Sequence, residues 1–363
     1  MVVFQLAISG QGAHRCKADG CLSALAIVRL LILAESSSTI LDVSSESTSE
    51  AIAALELLEE HRIKRDMRLR QVWLLSILSF IATLSHAATD PGWTTPIPPF
   101  QIADNLYYVG SQDLASYLVV TPAGNILINA NFATSPPQIR SSIEKLGFHW
   151  EDTKILLNSQ AHSDHMAGAA EIIRETHAKN MVMDGDVSVV ETGARTDFLA
   201  PSPNIPNYEA AHVDRILHDG DTVSLGGITL HAHKTAGHTR GCTTWTLRAH
   251  IQGERAKTLR DVVIVGGVTF WSEYHFLATS NQPVSYPGIV QDFRHTFALL
   301  HSLPCDVFLG AHGGYFDMLA KLKQYPKEGP RVFIDHTGYE SFISDAQRTF
   351  EKAVSEQQAH AER

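Results

Sequence analysis

The apolar positions of this chain fall into two kinds of pattern, and their order along the sequence sets the expected architecture. Between residues 106 and 130, short β-rich runs (LYYVG, SYLVV, NILINA) are separated by turn residues at 121–124, which predicts antiparallel strands. A buried-type run at 155–158 ends in polar residues and is followed by Met166, Ala170, Ile173 and His177 at helical spacing. Strand, loop and helix are expected there. Further strands are predicted at 227–233, 243–247, 262–265 and 307–309. Ile289, Phe293, Phe297 and Leu300 mark one amphipathic helix, and Phe342, Ala346, Phe350 and Val354 mark a last one closing against the core. Strands dominate each half with helices between them, which predicts an α/β fold of two sheets sandwiched between helices.

A different pattern precedes this region. From Met67 the sequence reads MRLRQVWLLSILSFIATLSHAATD, with Arg68 and Arg70 ahead of an apolar run at 72–84 and small residues at Ser85 and Ala87. This is the layout of a secretory signal peptide cleaved after Ala87. The run is shorter than the roughly 20 residues that span a bilayer, which argues against a retained anchor. A signal sequence acts at the start of a chain, so residues 1–66, with their Ser-rich stretch at 44–49, are expected to be an upstream extension outside the fold. The folded domain is then 88–363. The mature protein is expected in the periplasm, without stable membrane association after cleavage. Of the four cysteines, Cys242 and Cys305 remain in that domain and are expected to be free and buried.

Composition narrows the function. Apolar residues make up 44% and charged residues 19%, enough for a large core. The formal net charge of -10 leaves no basic tract suited to a phosphate backbone, so nucleic acid is not an expected partner. A small molecule is. Nineteen histidines are many, but a single histidine is more often a surface or core residue than a ligand, so only spacing can sort them.

Spacing does so at three places. The loop after the strand at 155–158 presents Gln160, His162, Asp164 and His165, four donors within six residues at the end of one strand. Such crowding fits metal ligands far better than packing. Alternation in an extended loop points residues 160, 162 and 164 the same way, while a helix beginning near His165 turns that side chain toward a second position, so two adjacent metals are accommodated. TAGHTRGCTTWT places His238 between glycines at a turn, and LGAHGGYFD places His312 after a strand and before a glycine pair. Either alone reads as an ordinary turn histidine. Together with the first cluster they read as single donors on the same site.

The segment Gln160-Ala-His162-Ser-Asp164-His165, with His238 and His312, resembles the H-x-H-x-D-H signature and later histidines of the metallo-β-lactamase superfamily. The stretch 286–317 and AGHTRGCTTWT resemble its B3 branch in particular. The resemblance covers most of 88–363 and implies an αββα sandwich with metals at the edge of the sheets. It implies one zinc held by Gln160, His162 and His238 and a second held by Asp164, His165 and His312. Glutamine stands where the signature has its first histidine, as in a minority of B3 enzymes, so the first zinc is expected to bind more weakly and the chain to carry one or two zinc ions. The region of Gly267 and Val268 offers neither the bridging aspartate of glyoxalase-type relatives nor the cysteine of other lactamase classes, which favours B3 over thioesterases. It also lacks the serine that many B3 enzymes use for the substrate carboxylate, leaving Ser163 as the nearest hydroxyl.

The implied activity is hydrolysis of the β-lactam ring amide of penicillins, cephalosporins and carbapenems, conferring antibiotic resistance, by a monomer. Zinc lowers the pKa of bound water to about 7 and so supplies hydroxide at neutral pH. Asp164 is expected to orient that water, and Tyr274 stands near a tyrosine that assists the oxyanion in some relatives. Two other readings compete: a lactonase or thioesterase on the same fold, and a non-catalytic zinc-binding protein in which Gln160 has disabled the first site.

Overall fold

The computed structural model of the chain describes residues 90–254 and 258–361; the predicted signal segment and the extension before it lie outside the described residues. Twelve strands among the described residues form two sheets. The first runs in sequence order through β1 (Phe100–Ala103), β2 (Leu106–Tyr108), β3 (Tyr117–Thr121), β4 (Gly124–Ile128), β5 (Thr153–Leu157), β6 (Lys179–Met183) and β7 (Arg215–Leu217). Its pairs are antiparallel up to β4 and parallel beyond. The second contains β8 (Thr222–Leu225), β9 (Ile228–Lys234), β10 (Thr243–His250), β11 (Leu259–Val265) and β12 (Val307–Gly310), antiparallel except for the β11–β12 pair.

Parallel neighbours need crossover connections, and these supply the helices. The helix α1 (Pro136–Lys145) joins β4 to β5. The short α2 (Ser163–Met166) and α3 (Ala169–Thr176) join β5 to β6, and α4 (Val187–Thr192) follows β6. In the second half α5 (Ile289–Ser302) joins β11 to β12, and α6 (Met318–Glu328) and α7 (His336–Ala361) complete the chain. Pro136 fixes the first turn of α1, where its missing N–H costs nothing, and Gly147 at φ +87 follows its end. Leu303 turns extended ahead of Pro304, which stops α5.

The period-two pattern of the first sheet divides its side chains between two cores. Tyr117, Val119, Ile126, Ile128, Ile155 and Leu157 point into the space between the sheets, while Leu118, Leu127 and Leu156 meet Ile139, Ile143 and Ile172 of α1 and α3. On the other side, Val262, Val263, Ile264 and Val265 of β11 are fully buried between the first sheet and the α5–α7 pair. The result is the expected αββα sandwich. Cys242 and Cys305 are buried and unpaired. Among the described residues no helix is long and apolar enough to cross a membrane.

Three expectations are corrected. The helical spacing read through 166–177 is interrupted at Ala167 and Gly168, so the buried positions of α3 are Ala169, Ala170, Ile172 and Thr176. Ile173 is only half-buried and His177 is an exposed left-handed cap. A Cβ on Gly168 would lie 2.5 Å from Ala130 O, which is why the chain breaks there with a glycine. Second, the helix begins at Ser163 rather than near His165, so the extended alternation ends at His162 and Asp164 turns away with His165. Third, α7 begins at His336 and buries Tyr339, Ile343, Phe350 and Val354; Phe342 and Ala346 lie at the margin of that face.

Phe350 is 4.7 Å from Phe293 of α5 and 5.1 Å from Phe276, ring to ring, and fully buried. Phe350→Ala is expected to lower unfolding free energy by about 3–5 kcal/mol, and Phe342→Ala by clearly less, in urea titrations. Equal losses would mean that the two faces of α7 are packed alike.

Candidate metal centre

All three predicted donor segments leave strands at one edge of the sandwich. His162, Asp164 and His165 follow β5 of the first sheet; His238 lies on the β9–β10 turn and His312 follows β12, both in the second sheet. The edges are tied by hydrogen bonds. Thr243 N donates to Ser159 O at 2.7 Å, Trp245 Nε1 to Asn158 O at 2.9 Å, and Ala115 N to Ala311 O at 3.0 Å. Asn129, left-handed at φ 71, accepts from Ser159 N through Oδ1 and donates to Ala115 O through Nδ2, fixing the start of the donor loop.

The four histidines form two facing pairs. His162 Nδ1 lies 3.1 Å from His238 Nε2, and His165 Nε2 lies 3.2 Å from His312 Nε2. Each pair thus takes one imidazole from each sheet. Asp164 Oδ2 joins the second pair, 3.1 Å from His165 Nε2 and 3.5 Å from His312 Nε2. Asp164, His165 and His312 bring one ligand atom each within 4.8 Å of one another, the geometry of a candidate cation site.

The outer nitrogens fix the tautomers. His238 Nδ1 donates to Thr269 O at 2.7 Å; a carbonyl can only accept, so Nε2 presents a lone pair. His312 Nδ1 donates to Asp113 Oδ2 at 2.9 Å, and Asp113 Oδ1 accepts from Gly314 N. His312 Nε2 faces inward in the same way. His162 Nε2 stands 3.4 Å from Asp197 Oδ2, too loose for an aligned hydrogen bond, and its Nδ1 faces His238. Such carboxylate and carbonyl partners are those that orient metal-ligating histidines.

Electrostatics agree. Burial and the charge of His162 press His238 down to about 3, against its bond to Thr269. Burial also acts on His162, but Asp197, with Asp164 and Asp186, outweighs it and holds this imidazole above its ordinary value. In the other pair, burial lowers His165 despite Asp164, while the hydrogen bonds of His312 to Asp113 and Asp164 overcome burial and raise it to about 9. One member of each pair is pushed up and the other down. Each pair therefore has room to share one cation between its facing nitrogens, a proton or a metal ion. Two nitrogens on one tetrahedral zinc, at about 2.0–2.1 Å each, lie about 3.3 Å apart, close to the observed 3.1 and 3.2 Å. The residues fit the metal. Asp164 is held well below the carboxylate range by His165 and His312, in spite of its burial, and is ionised.

The remaining predicted residues sit differently. Gln160 is buried, and its Oε1 is 3.4 Å from His162 N, within the same loop. Ser163 is half-buried at the first position of α2, beside Asp164. Tyr274 is buried to 1%, and its hydroxyl donates to His238 O at 2.6 Å. That proton is committed to the His238 loop, so Tyr274 acts on this site through His238. A Cβ on Gly267 would lie 2.5 Å from the His238 ring, so glycine there is what lets the imidazole occupy its place.

Asp113, Asp186 and Asp197 were not singled out from sequence. Asp186 Oδ2 accepts from Ala161 N at 3.0 Å and Thr239 Oγ1 at 2.7 Å, and Oδ1 from Gly241 N at 2.8 Å. One carboxylate thus joins the loop of His162 to the loop of His238. Burial raises it to about 6 against the bonds from Thr239 and Gly241. No local pattern announces these acids, because each meets its partner only after folding.

A donor set of this kind, at the shared edge of two sheets, is the chemistry of a metallohydrolase site. A sequence profile described as "Metallo-beta-lactamase superfamily" matches residues 114–250. The native FEZ-1 metallo-beta-lactamase from Legionella gormanii is 44% identical, with 73% of this chain and 98% of that one covered and a TM-score of 0.69. BJP-1, a subclass B3 metallo-beta-lactamase of Bradyrhizobium japonicum, is 35% identical over 74% and 98%, TM-score 0.67. LRA-12, a class B3 di-zinc metallo-beta-lactamase from an Alaskan soil metagenome, is 34% identical over 73% and 97%, TM-score 0.65. A probable metallo-hydrolase of Burkholderia pseudomallei is 29% identical over 120 residues, a match that spans only 39% of that relative's length. The chain belongs to the metallo-β-lactamase superfamily.

Asp186→Ala orphans three buried donors, each costing about 1–3 kcal/mol when left unpaired. The variant is expected to lose more than about 2 kcal/mol in urea denaturation of the metal-free protein. A loss below about 0.5 kcal/mol would show that the two loops hold without the carboxylate.

Proposed function

We propose that this protein is a zinc-dependent β-lactamase of the B3 kind, opening the ring amide of penicillins, cephalosporins and carbapenems. The observation that supports the metal chemistry is the pair of facing imidazole dyads, with Asp164 beside the second. What supports the substrate is 44% identity across 98% of the FEZ-1 metallo-beta-lactamase.

In this reading Gln160, His162 and His238 hold one zinc, and Asp164, His165 and His312 hold the other. Bound zinc supplies a Lewis acid and lowers the pKa of water to about 7. The chain does the rest. Thr269 O and Asp113 keep His238 and His312 in the tautomers that turn Nε2 inward. Asp164 uses Oδ2 toward both imidazoles of its pair, which leaves Oδ1 to accept a hydrogen bond from the attacking water and orient it toward the lactam carbonyl. Ser163, beside it at the start of α2, offers a hydroxyl to the substrate carboxylate. Tyr274 keeps His238 in place rather than meeting the oxyanion.

Hydrolysis of nitrocefin, a chromogenic cephalosporin, by the zinc-loaded protein tests the reading directly. Asp164→Ala and His312→Ala are each expected to reduce it at least a hundredfold while the fold survives by circular dichroism. Zinc binding without turnover of nitrocefin, a penicillin or a carbapenem by the unaltered protein would sink the β-lactamase assignment and favour a lactone, a thioester or no substrate at all.

Gln160 gives a sharper test. A neutral amide is a weaker zinc donor than imidazole, so the zinc beside it is expected to be the more easily stripped. Gln160→His is expected to raise retention toward two zinc ions per chain under mild chelation, counted by mass spectrometry of the intact folded protein. Identical retention in both proteins would remove Gln160 from the ligand set.

A further inference from the structure

One side-chain network next to the donor cluster takes no part in holding a metal. Trp271, half-buried, lies against both hydrophobic cores, with its ring 5.7 Å from His162, 5.6 Å from His238 and 4.9 Å from Tyr274. Its Nε1 donates to Glu273 Oε2 at 2.8 Å. Glu273 also accepts from Asn204 Nδ2 at 2.5 Å through Oε2 and from Ser202 Oγ at 2.8 Å through Oε1. These bonds, Asn204 first and Ser202 next, hold Glu273 below its ordinary value. Among the described residues it makes no ion pair; all three partners are neutral donors.

Ser202 and Asn204 belong to the segment between α4 and β7, which is anchored near the same histidines a second time. Tyr208 Oη donates to Ala161 O at 2.6 Å, next to His162. The segment is therefore fixed at two points on the His162–His238 side, and one of these points also sets the angle of an indole. A large aromatic ring held at a donor cluster by a carboxylate, which is itself held by a neighbouring loop, has the construction of a binding wall: apolar surface with a locked orientation.

We propose that Glu273 is a positioning residue that locks Trp271 as the aromatic wall of the substrate cleft on the His162–His238 side. Through it the segment between α4 and β7 determines how much apolar bulk beside the scissile amide the enzyme favours. The proposal rests on the hydrolytic reading of the site, and it deepens that reading by naming the specificity element.

The test compares two penicillins that differ only in an arylacetamido against an acetamido side chain, using the full zinc-loaded chain. Glu273→Ala is expected to lower the ratio of their kcat/KM values, aryl over acetyl, about tenfold, chiefly through KM for the aryl substrate. In a Trp271→Phe background, where no indole remains to be held, Glu273→Ala is expected to change that ratio less than twofold. An unchanged ratio in the first comparison, or the same tenfold fall in the second, overturns the proposal. So does loss of zinc from Glu273→Ala, which would show that the clamp supports the ligands and not the wall. An activity-independent arm separates this from the substrate assignment. The Trp271 emission, taken as the difference between the unaltered protein and Trp271→Phe, is expected to become at least twofold more quenchable by acrylamide on Glu273→Ala. If no β-lactam is hydrolysed but the quenching changes, the substrate reading fails and the clamp stands; unchanged quenching removes the clamp.

Discussion

Two imidazole nitrogens facing each other at about 3 Å in a buried site cannot both present lone pairs without a cation between them, and this chain builds that confrontation twice. Everything at the sheet edge serves it. A carbonyl at Thr269 and a carboxylate at Asp113 commit the outer protons of His238 and His312, so their inner nitrogens have no choice of tautomer. Gly267 makes room for the His238 ring, and Tyr274 clamps the backbone oxygen of the same residue. Asp186 ties the loops that carry His162 and His238, so the distance within that dyad is set by a carboxylate that touches neither ring.

The cluster that the structure brings together was legible because its residues are dense. His162, Asp164 and His165 crowd one loop, and no packing arrangement needs three such groups there. His238 and His312 were readable only jointly, each as a histidine beside glycine at a strand end. The orienting acids were invisible for a physical reason: Asp113 meets His312 across 199 positions, and Asp197 and Asp186 act across folded loops, so no periodicity marks them. The direction of Asp164 was misjudged along the chain but not in its partners, since Ser163 opens a helix one step earlier than the extended alternation allowed.

The fold shows a similar division. β3, β4, β5 and β11, and the face of α5, carry apolar patterns strong enough to read because both sides of those elements, or one whole stripe, are buried. β7 and β8 are three and four residues long and largely exposed, and α6 buries only Met318, so none of them has a periodic signal to offer. The break at Gly168 came from backbone crowding against Ala130 O, a constraint set by a neighbouring strand end and absent from local composition.

Each dyad draws one histidine from either sheet, and this has a mechanical consequence. Any cation held there spans the seam of the sandwich, like a rivet through two plates. Shear between the sheets would stretch both dyads at once, so the fit of an ion depends on the register of the two sheet edges and not on one loop alone. The halves of such a molecule are free to drift apart in sequence as long as the edge where they meet keeps its register, for the rivet holes must stay aligned.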